Sequence, residues 1–341
     1  MAIEISNSKI PKQVQSNLLT ELLQDSGMEL IHQGKVRDTF RIPGREMLRA
    51  ILTTDRISVF NYVLPVTCPY KGDALNALSI FFRSILMQNY QNDLVAFGMG
   101  IDEFVPSRCR GNRDLQQRLM IVEDCNMVPA EAVPRECLTG TGYKRYKAEG
   151  DLWGISLPIG LHDGALLPQP YFTVTDKSDD DLPIMFQDFV DSDKFSGHAN
   201  EIIAISMGAF AKAQAFANRY GFLIADTKFE FGLNHAGKLV LCDEVLTPDS
   251  SRFWSINSWV LANERRQAPV GYDKQPVRDW FAPFFEDLKK IKEREERLAK
   301  VSALNVPKRL IQDTTDRYLE ICSVFTGHSL QEFWKMQLGA A

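Results

Sequence analysis

A chain of 341 residues that is 45% hydrophobic is long enough for two domains with buried cores. Its 39 basic and 44 acidic residues leave a formal charge of -5 with no basic tail or long block of one sign, which argues against nucleic acid as the main partner. No apolar run approaches the roughly 20 residues of a membrane span, and the amino terminus, MAIEISNSKIPKQVQSNLL, lacks the basic start and apolar core of a signal peptide. The cytoplasm is therefore the expected location, with no membrane partner.

In chain order, apolar spacing predicts a short helix over Gln13–Gln24. MELIHQGKVRDTFRI then reads as strand, glycine turn and strand, and EMLRAILTTD adds another strand. GDALNALSIFFRSILMQNY has helical spacing, and LMIVEDCNMVPAEAVPREC returns to β character before the small-residue cluster LTGTG, which reads as a functional turn. Residues 150–183, rich in Gly, Pro and Asp, read as an extended loop or flap. EIIAISMGAFAKAQAFANRYG makes an apolar helix that stops at Gly221, a residue suited to a helix C-cap. From Gln275 onward, VRDWFAPFFEDLKKIKEREERLAK and KRLIQDTTDRYLEICSVFTG read as amphipathic helices broken around Asn305–Pro307. The run KKIKEREERLAK reads as a solvated helix face with i,i+4 pairs. The six cysteines form no CxxC pair and the five histidines are scattered, so free thiols are expected rather than a zinc site or disulfides.

The stretch GFLIADTKFEFG carries the chemistry. On a strand, Asp226, Lys228 and Glu230 share one face, while Ala225, Thr227, Phe229 and Phe231 pack beneath. NHAG and KLVLCDEV complete a hairpin, and with Leu233 facing Lys238 the register puts Asp243 opposite Lys228, diagonal to Glu230. Glu230 and Asp243 are then candidate Mg²⁺ ligands, because that ion is commonly held by one or two carboxylates with water and substrate phosphates. Lys228 would neutralise a phosphoryl group or a carboxylate, and Asp226 would orient it or accept a proton from an amine. An exposed polar face on an ordinary hairpin accounts for the alternation equally well.

Two further segments suit anions. LTPDSSRFW places Asp249, Ser250, Ser251 and Arg252 in a turn fit for phosphate or carboxylate, with a helix N-cap as the other account of its Asp and serines. HQGKVRDTF puts Lys35 and Arg37 beside a flexible Gly34, with no GxxxxGK[ST] anywhere in the chain. A GK pair in a hairpin is also an ordinary solvated turn.

Taken together, GKVRDTF, TTDRISVFN, KGDALNALS, AEAVPRECLTGTGYKRY, LLPQPYFTVTDKS, ADTKFEFG, LCDEVLTPDSSRFW and GYDKQPVRDWF resemble, in order and over nearly the whole chain, the phosphoribosylaminoimidazole-succinocarboxamide synthase (SAICAR synthetase) family. The resemblance implies an α+β grasp-type ATP-binding fold with two sheet-containing domains, an ATP cleft between them, and C-terminal helices on the core. The expected division is 1–126 for the ATP phosphate loop, 127–270 for the substrate and metal site, and 271–341 for the helices. The implied reaction joins the carboxylate of carboxyaminoimidazole ribotide to the amine of L-aspartate through an acyl phosphate, consuming ATP with Mg²⁺ in purine biosynthesis.

Position by position, the resemblance assigns Gly34, Lys35, Arg37 and Asp38 to ATP, and Glu230 and Asp243 to the metal. It assigns Lys228 and Asp226 to catalysis, and Arg135, Thr141, Asp249, Ser250 and Arg252 to the ribotide. The chain departs from the family at Pro134, Glu136, Cys137, Thr141, Tyr143 and Asn61. Glu136 in particular adds negative charge beside an expected anion site. A related amide ligase with another acid or amine, or a small-molecule kinase, are the alternatives. The C-terminal helices offer a surface for a homo-oligomer.

Overall fold

The computed structural model describes residues 17–178, 182–192, 195 and 197–338. Residues 13–16 of the expected first helix, and 179–181 of the expected flap, lie outside the described residues.

Among the described residues the first element is helix α1 (Leu18–Asp25), capped by the Asn17 side chain, followed by β1 (Glu29–Gln33), β2 (Arg37–Arg41), β3 (Leu48–Thr53), β4 (Arg56–Val59) and β5 (Tyr62–Thr67). Helix α2 (Lys71–Phe81) passes into a π-helical turn, Phe82–Leu86, and is followed by β6 (Leu94–Ala96), α3 (Arg113–Arg118) and β7 (Leu119–Glu123). Next come the thirteen-residue β8 (Asn126–Leu138), α4 (Gly140–Glu149), the small hairpin β9 (Asp151–Leu152) and β10 (Ile155–Ser156), and the twelve-residue β11 (Ala165–Asp176). After β12 (Pro183–Ile184), α5 (Phe186–Asp191) and the long α6 (Ala199–Arg219) come β13 (Phe222–Thr227), β14 (Phe229–Leu233), β15 (Leu239–Cys242), β16 (Ser251–Ser255) and α7 (Ile256–Glu264). The chain closes with α8 (Gln275–Lys289), α9 (Arg294–Ser302), α10 (Lys308–Thr326) and α11 (Leu330–Gln337). The architecture is α+β. No helix among the described residues is long and apolar enough to cross a membrane.

Two compact units interleave along the chain, whereas the sequence reading has three consecutive blocks. One comprises the chain up to Ile80, Leu94–Asp124 and everything from Lys274 onward; the other comprises Phe81–Asp93 and Cys125–Asp273. The first unit holds an antiparallel sheet in the order β1-β2-β3-β7-β6 and the separate β4-β5 hairpin. Ile57, Val59 and Leu64 of that hairpin are buried in one cluster with Val277, Phe281 and Leu288 of α8 and Val301 of α9, so the carboxy-terminal helices complete an amino-terminal core. The expected helix over 277–300 is two helices, parted at Lys290–Glu293. Its charges do pair along the exposed faces, as in Lys289 with Glu286 and Lys300 with Glu296.

The second unit is built on β8. Its sheet runs β12-β11-β8-β13-β16, with β14 also paired to β8 and carrying β15. Residues 165–176, expected as loop, form the full-length strand β11 on β8. The prolines that hide it, Pro168 and Pro170, sit where the register shifts between Leu166 and Tyr171, the kind of irregularity at which a sheet tolerates proline. Helix α6 packs across β8, β11 and β13. It buries Ile202, Ser206, Phe210, Ala213 and Ala217 at three- and four-residue intervals.

All six cysteines are free thiols. Burial pushes the Cys322 thiol up to about 12, so it stays protonated at neutral pH.

Phe229 is fully buried on the underside of the central strand. Phe229→Ala should destabilise the chain by about 3–5 kcal/mol, the range for emptying an aromatic site. Urea denaturation followed by tryptophan fluorescence checks this.

Candidate active site

The expected alternation is real, but it spans two strands rather than one. β13 ends at Thr227 and β14 begins at Phe229, with Lys228 between them donating its backbone N–H to the Ser250 carbonyl at 2.9 Å. On one side the chain exchanges neighbours here, from β16 to β15; on the other, β8 runs past without interruption. Asp226 pairs with Arg135, Phe229 with Ala132 and Glu230 with Glu131, all in one register. Alternation on β8 and β11 then places Glu131, Arg135, Thr173 and Thr175 on the same face as Asp226, Lys228 and Glu230.

Lys228 is the hub of that face. Its Nζ donates to Glu131 Oε1 at 2.6 Å and to Glu230 Oε1 at 2.8 Å, and 34% of its side chain still reaches solvent. Glu230 Oε2 accepts from Lys177, and Glu131 Oε2 accepts from the Thr175 hydroxyl at 3.2 Å. Burial opposes the charge on Lys228, but Glu230, Glu131 and Asp243 outweigh it and hold the ammonium well above the ordinary lysine value. Burial likewise opposes charge on Glu230, and Lys228 and Lys177 outweigh it, holding that carboxyl well below the usual range. Sequence reasoning missed Glu131 and Lys177. The period-two spacing of Glu131, Val133 and Arg135 was the available signal for the first; Lys177 has none, because only the β11–β8 pairing brings it near Glu230.

The hairpin register differs by one residue from that expected. Leu233 faces Leu239 and Glu230 faces Cys242. Asp243 lies just beyond β15 with φ 57°, a left-handed conformation that ends the ladder. Its negative charge nonetheless adds to that of Glu230 in raising both Lys177 and Lys228. Among the described residues no group of three or more His, Cys, Asp and Glu side chains is placed to hold a metal. Glu230 and Asp243 fit Mg²⁺ as a pair of hard oxygen donors of the kind that leaves most of the shell to water and phosphate.

A second cluster lies further along the same face. Asp226 Oδ2 accepts from Arg135 Nη1 at 2.7 Å and from Arg252 Nη1. Arg135 also donates to the hydroxyls of Thr173 at 2.9 Å and Thr141 at 3.3 Å, with its guanidinium 5.7 Å from the Trp153 ring centre. Burial pulls the Arg135 guanidinium down from its ordinary value, against Asp226; partial burial opposes the charge on Arg252 too, but Asp226, Asp273 and Asp163 outweigh it and raise that group. LTGTG is not a free turn but the start of α4. Gly140, at φ 59°, leaves room that a Cβ would fill only 2.5 Å from an Arg252 nitrogen. Glu136, next to Arg135 on β8, points to the opposite face, and the charges acting on Arg135 are those of Asp226 and Arg252. The expected crowding of the anion site by Glu136 is therefore removed by strand geometry.

Asp249 and Ser250 lie in a turn closed by Thr247. The Ser250 hydroxyl accepts from the Thr247 N–H at 3.1 Å, and the Thr247 hydroxyl donates to Glu244 at 2.6 Å. The N-cap account fails, because β16 follows this turn and α7 begins only at Ile256.

In the other unit, Gly34 to Arg37 form the tight connection between β1 and β2. The Gly34 N–H donates to the Arg37 carbonyl at 2.7 Å, and a Cβ at Gly34 would meet that oxygen at 2.8 Å. Asp38 points inward rather than toward a ligand. Fully buried, it is gripped by Arg56 and by the Thr20 hydroxyl at 2.7 Å, while Arg56 also donates to the Gly34 carbonyl at 3.0 Å and the Lys35 carbonyl at 3.3 Å. Asp38 thus shapes the loop through Arg56. Lys35 donates to Asn61 in the β4-β5 turn, so the amide at that position still serves as acceptor.

Linkage follows from these shifts. A depressed carboxyl such as Glu230 adds stability at pH above its unfolded value, about 4.3, and that contribution is lost as pH falls through the folded value. A raised lysine such as Lys228 adds stability below about pH 10.4, lost as pH rises through its folded value. Stability should therefore fall on acidification below about pH 4.3 with a slope that Glu230→Gln reduces, as urea titrations from pH 3 to 6 would show.

The family model described as SAICAR synthetase matches residues 30–295. The phosphoribosylaminoimidazole-succinocarboxamide synthase of Thermodesulfovibrio yellowstonii is 35% identical over 304 residues, 88% of this chain and 96% of its own length. That of Methylobacillus flagellatus is 38% identical over 271 residues, 77% of this chain and 87% of its own. The solved SAICAR synthase of Saccharomyces cerevisiae, complexed with SAICAR, superposes with a TM-score of 0.72 at 28% identity, covering 89% of this chain and 96% of that one. The charged face is thus embedded in a match that spans both units, and the chain belongs to the SAICAR synthetase family.

Proposed function

We propose that the chain is the ATP-dependent ligase that joins the carboxylate of carboxyaminoimidazole ribotide to the amine of L-aspartate in purine biosynthesis, a cytoplasmic enzyme with a grasp-type ATP-binding fold. The observation that carries the residue assignment is Lys228, held as a cation at the break between β13 and β14 with acids on both sides.

A carboxylate resists attack by an amine because its carbonyl carbon is electron-rich and its leaving group would be oxide. Transfer of the γ-phosphoryl of ATP to a carboxylate oxygen releases ADP and gives an acyl phosphate. The aspartate nitrogen then adds to that carbon, phosphate departs with the C–O electron pair, and the nitrogen loses a proton. Lys228 lies against the reacting carboxylate, where its charge offsets the negative charge of two approaching anions. Asp226 holds Arg135 and Arg252 in place beside it. Those two arginines, with Thr141, receive the ribotide phosphate, whose oxygens suit paired guanidinium forks, while Asp249 and Ser250 complete the ribotide pocket. Gly34, Lys35 and Arg37 hold the triphosphate of ATP, with Asp38 supporting the loop from within. Glu230 and Asp243 hold Mg²⁺, which when bound neutralises phosphate charge.

ADP release measured with Mg²⁺ATP and carboxyaminoimidazole ribotide, with and without L-aspartate, tests the reaction, with the succinocarboxamide followed by mass. Product should require all three substrates; ATP-dependent phosphorylation of a lone acceptor to a stable product would instead make this a kinase. Lys228→Ala should lower turnover about 10²–10³-fold or more with an unchanged circular dichroism spectrum, as for removal of a preorganised charge partner. A near-normal rate would remove Lys228 from the mechanism.

A further inference from the structure

The loop that carries Asp243 is held in an unusual backbone conformation. Asp243 has φ 57° and Leu246 φ 55°, so two side-chain-bearing residues lie in the left-handed region within four positions. Such conformations persist where the surrounding structure over-determines them. The surroundings here are the segment between α2 and β6. Gln91 accepts from the Leu241 N–H at 2.9 Å, Asn92 forms a parallel bridge with Leu241, and the Asp93 N–H donates to the Leu241 carbonyl at 3.1 Å. This segment therefore lies along β15 up to the point where Asp243 leaves it.

Arg83 completes the hold. It lies in the π-helical turn Phe82–Leu86, whose flanking Phe81 and Phe82 rings stand 5.7 and 6.1 Å from Phe216 of α6. π-turns recur at functional sites because they re-aim a side chain without ending the helix. The Arg83 side chain is 1% exposed, pairs with Asp93, and donates through Nη2 to the Asp243 backbone carbonyl. A buried ion pair is a weak device for stability alone, since apolar residues of the same volume serve as well or better. Its geometric product is the contact with Asp243: fixing that carbonyl fixes the peptide plane on which the carboxylate hangs.

We propose that Arg83 is a positioning residue for the ligase, setting through the Asp243 carbonyl the left-handed turn that presents the Asp243 carboxylate to the metal. The inference rests on the reading of Asp243 as a Mg²⁺ ligand. Arg83 acts through the Asp243 backbone carbonyl alone.

The test uses the full chain with ADP and Mn²⁺ as a spectroscopic stand-in, free Mn²⁺ being counted by electron paramagnetic resonance. The double variant Arg83→Met with Asp93→Leu removes the pair without stranding a buried charge. It should stay folded, with melting temperature unchanged or higher, yet bind Mn²⁺ about tenfold or more weakly, the usual effect of losing a group that orients a ligand. The Mg²⁺ concentration for half-maximal turnover should rise by a similar factor while the KM for L-aspartate is unchanged. Added to Asp243→Asn, the pair replacement should cause no further loss of Mn²⁺ affinity. A folded double variant that binds Mn²⁺ within about twofold of the parent overturns the inference. If that variant does not fold, Arg83→Lys, which keeps the charge but shortens the reach, carries the same criterion. Parent-like binding by Asp243→Asn alone would overturn the metal assignment itself; weak binding by Asp243→Asn with parent-like binding by the pair replacement would overturn only the role of Arg83.

Discussion

The pairing of Asp226 with Arg135 and of Glu230 with Glu131 is the constraint on which the catalytic face depends. These two matches, in a single register along β8, put acid and base side by side on one surface although the intervening chain changes strands at Lys228. Each charge is taken partly out of water, and each has a partner of opposite sign within hydrogen-bonding reach. Burial that would otherwise discharge Lys228 or Glu230 instead strengthens the field between them, because attraction grows as water is excluded. Lys228 and Glu230 are thus both kept ionised around neutral pH.

Much of this was legible locally. The alternation of Asp226, Lys228 and Glu230 follows from the two-residue period of a strand, and the buried phenylalanines beneath it from the same period. The strands around Gly34 were equally readable, since a glycine close to a carbonyl is a local requirement. Other features arise from pairing between distant segments and leave little local trace. Lys177 joins Glu230 only because β11 pairs with β8, and β11 is masked by two prolines absorbed at an irregular register. The Asp243 register was misplaced by one residue because the turn takes in five residues, 234–238, with Gly237 left-handed, so that Leu233 meets Leu239 rather than Lys238. Asp38 looks like a ligand in GKVRD, yet its burial with Arg56 is decided by a strand eighteen residues away.

The two charged clusters of the second unit differ in residue type. Around Asp226 the cations are arginines, planar and permanently charged, suited to gripping phosphate oxygens in a fixed orientation. Around Glu230 they are lysines, compact point charges that tolerate a reacting group changing shape. The counter-charges come from three strands, Asp226 on β13, Glu230 on β14 and Glu131 on β8.

The change of neighbours at Lys228 also bears on how the chain can vary over evolution. Side chains before and after that residue keep one register with β8, so a single inserted or deleted residue between Asp226 and Glu230 would turn one half of the strand over. Aromatic rings would then meet solvent while carboxylates entered the core. Length change is therefore closed to this segment, whereas the exposed turn 234–238 can lengthen without turning the charged face over.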